Sequence, residues 1–354
     1  MRVRHSGTDM SSQRYDVAII GGGQAGLAAG HFLARHGRRF AILEAAAAPA
    51  AAWRTRWDSL RLFTPARYDS LPGRPFPGDP DRYPTRDEVV DYLTAYAQDL
   101  PVEYDSRVTG LRAAPAGYRV ELTDRVVEAS QVVIATGAFQ VPRTPPWADT
   151  LAAEVAQLHS SEYRNPGQVA AGPVLVVGGG NTGYQIAEEL SASREVHLSV
   201  GARQTPLPQR VLGRDLFRIL TATGAMGKTA DSRIGRRMKD RETLIGSGPR
   251  KARRRGIELH GRATGAGDGT VRFADGGSLA PRTVVWATGF TRDFSWVDVP
   301  VLDAGGAPIH RRGITASPGL AFLGLPWQHT RGSALLGWVD DDAGHIAARL
   351  AVAA

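Results

Sequence analysis

The chain has 354 residues, no cysteine and a formal net charge of +8, and no apolar run in it approaches the roughly 18–20 residues of a membrane span. The missing cysteines exclude a disulfide framework, thiolate-ligated zinc or iron–sulfur centres and a redox-active Cys-x-x-Cys pair. The positive charge is almost all arginine, and its densest run, Arg250-Lys251-Ala252-Arg253-Arg254-Arg255, has no interleaved aromatics to stack on bases, so nucleic acid is not an expected partner.

Residues 1–13 have no apolar h-region and are expected to form a disordered tail; Met10 is an alternative start, and a cytoplasmic location is expected. An apolar strand over 16–20 then feeds Gly21-Gly22-Gly23-Gln24-Ala25-Gly26, followed by a helix over 26–36 and a strand over 40–43. Strand, tight glycine turn and helix together aim a helix N-terminus at a pyrophosphate, with Gly21, Gly23, Gln24, Ala25 and Gly26 as the cradle. Glu44 lies 18 positions past Gly26, where a carboxylate accepts a ribose 2′-hydroxyl, so the first site suits an adenine dinucleotide without a 2′-phosphate.

Residues 53–83 are aromatic, Arg-rich and broken by proline and glycine, a length of irregular chain that is usually functional. An amphipathic helix is expected over 87–100 with Val90, Leu93 and Tyr96 on one face, then two hairpin-like runs leading to the strand Val132-Val133-Ile134 and the turn Ala135-Thr136-Gly137.

A second strand–loop–helix unit follows, with a strand over 174–177, Gly178-Gly179-Gly180-Asn181-Thr182-Gly183, a helix over 182–190 and a strand over 196–200. Its cradle is Gly178, Gly180, Asn181, Thr182 and Gly183. Arg203 stands 20 positions past Gly183, where the first unit carries an acid; a guanidinium there can hold a 2′-phosphate and selects NADPH. A second Ala287-Thr288-Gly289 turn follows an apolar strand. Loop, turn, loop, turn in that order imply an α/β protein with two Rossmann-like dinucleotide-binding domains. The NADPH domain, 167–284, is inserted into a discontinuous FAD domain, 14–166 and 285–354. The histidines are scattered without metal-ligand spacing, and no metal is expected.

Beyond the two loops, the stretches Trp53-Arg54-Thr55-Arg56-Trp57-Asp58-Ser59-Leu60-Arg61-Leu62-Phe63-Thr64-Pro65, Tyr83-Pro84-Thr85 and Leu323-Gly324-Leu325-Pro326-Trp327-Gln328-His329-Thr330-Arg331-Gly332-Ser333 carry a resemblance. The chain resembles class B flavin-dependent monooxygenases, of the flavin-containing and Baeyer–Villiger superfamily. Within it the resemblance is closest to short bacterial members such as the flavin monooxygenases of arsenic-resistance operons. The resemblance implies bound FAD, reduction by NADPH, and a C4a-peroxyflavin that oxygenates a soft nucleophile such as a sulfur, nitrogen or organoarsenic centre. It implies a dry pocket walled by Trp53, Trp57, Phe63 and Trp327, with Thr64 and Gln328 polar at the flavin edge. A C-terminal helix starting near Ser333 would bring the Ser333 and Ala334 amides to the flavin ring. The cofactor-binding set also takes in Arg56, Leu62, Val108 and Gly137; no catalytic side chain is assigned.

The departures are specific. Of the superfamily fingerprint only His159 and Tyr163 remain, with Ala153 and Val155 in place of Phe and Gly, and His159 is expected at the interface between units. Pro49-Ala50-Ala51 replaces Pro-Gly-Gly, Gly324-Leu325 replaces Gly-Asp, and Thr64 stands where related enzymes carry Asn. No match to the Baeyer–Villiger arginine is present. The alternative expectation is an NADPH-dependent flavin reductase or oxidase passing electrons to a quinone, a partner protein or O2. The expected partners are a small molecule and O2, with no nucleic acid and no membrane; a homodimer is compatible with the sequence.

Overall fold

A computed structural model describes residues 13–201, 204–239 and 243–352. Two sheets organise it, each built around a strand that enters a glycine loop. The first, of eight strands, grows from Gln13–Ile20, which pairs in parallel with Phe40–Leu43 on one side and Val126–Ile134 on the other. Phe40–Leu43 is buried at every position, the pattern of a strand covered on both faces. A meander, Val108–Ala114, Gly117–Leu122 and Val126–Ile134, extends the sheet antiparallel. The chain leaves after Ile134 and returns to add Val297–Asp298 at one edge and Leu320–Phe322 beside Val126–Ile134, both parallel.

The second sheet is wholly parallel, in the order Glu258–His260, Val196–Ser199, Val174–Val177, Thr283–Trp286, Ala156–His159. Two of its strands cross the expected junctions: Ala156–His159 lies before 167, and Thr283–Trp286 runs past 284 because Trp286 pairs with Val177 on one side and His159 on the other. A three-stranded antiparallel sheet, Ala263–Gly267, Thr270–Phe273 and Ser278–Leu279, packs Val271 and Phe273 against the buried Trp286.

Helices Gln24–Arg35 and Asn181–Leu190 follow the two loops, each starting earlier than expected. Arg86–Ala97 is fixed by a capping box, in which the Thr85 amide donates to Glu88 Oε2 at 2.8 Å and the Glu88 amide donates back to Thr85 Oγ1 at 3.3 Å. The C-terminal helix is Val339–Val352, not one beginning at Ser333. Arg331–Ala334 is a separate single turn capped by Thr330, and Leu335 at φ −87°, ψ 146° is extended, which breaks the helix there. Val339–Val352 packs Ala343, Ile346 and Leu350 into one core with Leu27 and Leu33 of the first loop's helix. Among the described residues no helix is long and apolar enough to cross a membrane.

Candidate active site

The first loop is shaped by contacts that only glycine allows. A Cβ on Gly26 would lie 1.9 Å from the Gly21 carbonyl oxygen, and Gly21, at φ +109°, would place one 2.6 Å from the Ala135 carbonyl. Helix, turn and strand therefore close onto one another through backbone. Over Gly23 a Cβ would meet nothing within 4 Å, and Gly23 caps the helix with no side-chain bond. The first-turn amides thus open onto free space, which is what a pyrophosphate requires. Glu44 sits over the loop, its carboxylate accepting from the Gly22 amide at 2.6 Å and the Ala46 amide at 2.9 Å. Val108 begins its strand two residues past Ser106, whose amide donates to the Glu44 carbonyl at 2.8 Å.

The second loop repeats the construction. A Cβ on Gly183 would lie 1.9 Å from the Gly178 carbonyl oxygen, and one on Gly178, at φ +128°, would lie 2.1 Å from that of Ala287. Gly180 caps the helix without a side-chain bond. Asn181 turns its side chain away from the loop: Nδ2 donates to the Thr243 carbonyl at 3.0 Å and Oδ1 accepts from the Ile245 amide at 2.9 Å. Thr182 follows on the helix, half-buried. Arg203 lies outside the described residues. Its neighbour Gln204 holds the place that Glu44 holds in the first unit: a Cβ on Gly179 would meet Gln204 Nε2 at 2.1 Å, and Gln204 Oε1 accepts from Tyr184 Oη at 3.1 Å. Gln204 was not among the expected residues, although its offset from Gly183, 204 − 183 = 21, lies close to that of Glu44 from Gly26, 44 − 26 = 18.

The two Ala-Thr-Gly turns meet around Arg56. Gly137 (φ +73°) and Gly289 (φ +80°) leave open space where a Cβ would stand, and the Arg56 guanidinium lies 5.0 Å from the Phe139 ring and 5.6 Å from the Phe290 ring. Burial, then the neighbouring Arg164, lowers the Arg56 pKa. His159 closes the same junction as an interface residue: its Nε2 donates to the Gly289 carbonyl at 3.1 Å, Nδ1 accepts from the Ser161 amide at 3.1 Å, and burial keeps the ring neutral.

Two of the expected pocket walls are placed elsewhere. Trp57 is buried with Tyr163, Tyr184 and Val285 in the core of the second sheet, because the chain crosses there after residue 54 and the Asp58 amide docks on the Arg164 carbonyl at 2.7 Å. Phe63 stacks on Phe217 at 5.7 Å, and its carbonyl accepts from Gln209 Nε2 at 2.6 Å, so it joins a satellite core. Leu62, half-buried, packs on the first core, and Trp327 is half-buried on a left-handed residue at φ +58°.

Several of the remaining expected residues are tied to the first loop. Gln24 bridges two distant segments, accepting from the Trp53 indole at 3.0 Å and donating to the Ala334 carbonyl at 3.0 Å. Ser333 is wholly buried, its hydroxyl accepting from the His329 and Thr330 amides, each at 3.0 Å. A Cβ on Gly324 would lie 2.7 Å from Ala25, and one on Gly337 would lie 1.7 Å from the Tyr68 carbonyl oxygen, so the stretch 324–337 is pressed onto both the loop and the 64–69 turn. Within this group Thr64 is buried and bonded to Asp69, a residue absent from the expected set, and Gln328 Nε2 is buried with no protein partner among the described residues. That amide lies 2.6 Å from where a Cβ on Gly313 would stand, an orphaned buried donor of the kind that hydrogen-bonds a polar ring system.

Four similarities bear on this arrangement. The model of a family described as pyridine nucleotide-disulphide oxidoreductase matches residues 18–211. A CzcO-like oxidoreductase of Geobacillus kaustophilus is 42% identical over 336 residues, 94% of this chain and 97% of that protein. The solved flavin-containing monooxygenase from Stenotrophomonas maltophilia superimposes with a TM-score of 0.80 at 32% identity, covering 96% of this chain and 99% of that one. Over 223 residues, 57% of this chain and 51% of the relative, the chain is also 35% identical to an Oryza sativa protein named indole-3-pyruvate monooxygenase YUCCA4.

Proposed function

We propose that this chain, which belongs to the pyridine nucleotide-disulphide oxidoreductase family and, within that fold, is a class B flavin-dependent monooxygenase using FAD and NADPH, oxygenates a soft nucleophile, a sulfur, nitrogen or organoarsenic centre. The observation that carries the proposal is the pair of matched cradles with opposite tops. A carboxylate over the first suits FAD, and an uncharged amide over the second admits a 2′-phosphate. On this reading Gly21–Gly26, Glu44, Gln24, Trp53, Gln328, Ser333 and Ala334 hold FAD, and Gly178–Gly183, Arg203 and Gln204 hold NADPH, with the second unit spanning residues 156–286.

Bound FAD, once reduced, supplies the activation of dioxygen. The protein's part is position and dryness. Gln24 locks Trp53 to the 331–334 turn, and the packed 324–337 stretch excludes water. Gln24, Thr64, Gln328 and Ser333 offer neutral hydrogen bonds, which suits a substrate that is a nucleophile in its own right. The test is stoichiometry: a thioether, a tertiary amine and a trivalent organoarsenical are each supplied with NADPH and air, and product, NADPH and hydrogen peroxide are measured. One NADPH per oxygenated product is expected for at least one class. Peroxide equal to NADPH with no product from any of them would move the protein to the reductase or oxidase reading.

A second substrate class rests on Arg331, whose guanidinium is largely buried at the start of the 331–334 turn with its pKa lowered by burial. A cation there would receive a substrate carboxylate, and the plant relatives are named for a 2-oxo acid. 2-Oxo acids therefore belong in the same screen.

A further inference from the structure

The histidines that are scattered in sequence meet across the second sheet. His197 lies in Val196–Ser199 and His260 in the edge strand Glu258–His260; the parallel register sets His197 opposite Glu258 and Ser199 opposite His260. With side chains alternating along a strand, His197, Glu258 and His260 share one face. His197 Nδ1 lies 2.9 Å from His260 Nε2 and 3.6 Å from one Glu258 carboxylate oxygen, and His260 Nε2 lies 3.6 Å from the other. A tetrahedral ion with bonds of about 2.0–2.2 Å spaces its ligand atoms roughly 3.3–3.6 Å apart. Each nitrogen already stands at that spacing from a Glu258 oxygen, and the rings, at 2.9 Å, need only part by about 0.5 Å for one carboxylate oxygen to complete the face.

The surroundings hold the rings in a ligating pose. His197 Nε2 is 3.1 Å from Glu195 Oε1; donating there, it leaves the Nδ1 lone pair free toward the cluster, the carboxylate–histidine arrangement that orients metal ligands. His260 stacks on Phe273 at 4.2 Å and 13°, which fixes its plane. The Glu258 side chain is 64% exposed, giving an ion a path in and a carboxylate free to adjust. Among the described residues these are the three histidine, cysteine or acidic side chains whose ligand atoms all fall within 4.8 Å of one another.

We propose that His197 Nδ1, His260 Nε2 and the Glu258 carboxylate form a site for a divalent first-row transition cation of the zinc class, with water completing a tetrahedron. Binding breaks the hydrogen bond between the two rings, shifts the His260 proton from Nε2 to Nδ1 so that both rings ligate as neutral imidazoles, and clamps the edge strand to Val196–Ser199. The N2O donor set suits zinc and its neighbours rather than magnesium or calcium.

The test uses the tag-free, FAD-loaded protein after chelator treatment, titrated with Zn2+ by calorimetry and with Co2+ by visible absorption. One ion per chain is expected, with a tetrahedral Co2+ spectrum and an affinity that falls as pH drops through the imidazole range. Glu258→Gln should weaken binding roughly tenfold or more, and His260→Gln further still. Glu258 is exposed, so Glu258→Gln decides the matter even if His260→Gln misfolds. Absence of saturable binding, or one-to-one binding that Glu258→Gln leaves unchanged, overturns the proposal.

Discussion

Thr64 donates its hydroxyl to Asp69 Oδ1 at 2.5 Å within one turn, with both side chains buried and Asp69 only 1% exposed. Asp69 Oδ2 has no partner among the described residues. Burial pushes the Asp69 carboxyl up to about 8, against a weaker lowering by the Thr64 bond. Since the folded pKa lies above the ordinary carboxylate value, the stabilisation from the protonated acid is full below about pH 4 and is lost as pH climbs toward 8. Asp69→Asn removes the titration while keeping an acceptor for Thr64. The melting temperature of the variant relative to the parent should therefore rise between about pH 5 and pH 8.5. A difference that stays flat across that range would show that Asp69 is ionised throughout.

Gly183→Ala separates the two cradles. Its Cβ would stand 1.9 Å from the Gly178 carbonyl, a backbone atom that cannot give way. The protein should still purify yellow, while its anaerobic reduction by NADPH slows at least about tenfold, a loss of roughly 1.4 kcal/mol or more. Gly26→Ala, equally close to the Gly21 carbonyl, should instead lose FAD. Unaltered reduction in Gly183→Ala would remove NADPH from the second loop.

How much was legible in the sequence follows from the range of each constraint. The glycine loops and their strands are local: Gly21 and Gly26 are five positions apart, and the contact that forbids a side chain is written in that spacing. The two-unit α/β order was legible for the same reason. Trp57 was not, because whether an aromatic joins one core or the other depends on where the chain crosses after residue 54. The start of the last helix was misplaced because Thr330 can cap a single turn as readily as a long helix, and only the extended Leu335 decides between them. Nor could spacing reveal His197 beside His260, 63 positions apart and joined by the register of a parallel sheet edge.

Cofactor choice should turn on the residue over each loop. Gln204→Glu would set a carboxylate above Gly179, as Glu44 stands above Gly22. Such a charge repels a 2′-phosphate and welcomes a ribose hydroxyl, so the NADPH-over-NADH preference in kcat/KM should fall at least about tenfold. Arg203→Ala should raise the KM for NADPH and barely touch that for NADH. Equal effects on both nucleotides in either variant would place the 2′-phosphate elsewhere.

Ala50 carries a cost that its family pattern avoids. It stands where resembling enzymes have glycine, and its backbone is left-handed at φ +58°, capping the one-turn helix 51–54 that carries Trp53. A left-handed alanine costs roughly 1–2 kcal/mol. Glycine relieves that strain but returns about 0.4–1 kcal/mol through the greater freedom of the unfolded chain. Ala50→Gly should therefore stabilise by up to about 1.6 kcal/mol, read as a rise of about 1–3 °C in melting temperature for a chain of this size. With Trp53 tied through Gln24 to Ala334, a relaxed turn at residue 50 should also tighten FAD binding, measured by quenching of flavin fluorescence. A lower melting temperature would mean that the Ala50 methyl, buried in the first core, contributes more than the strain it imposes.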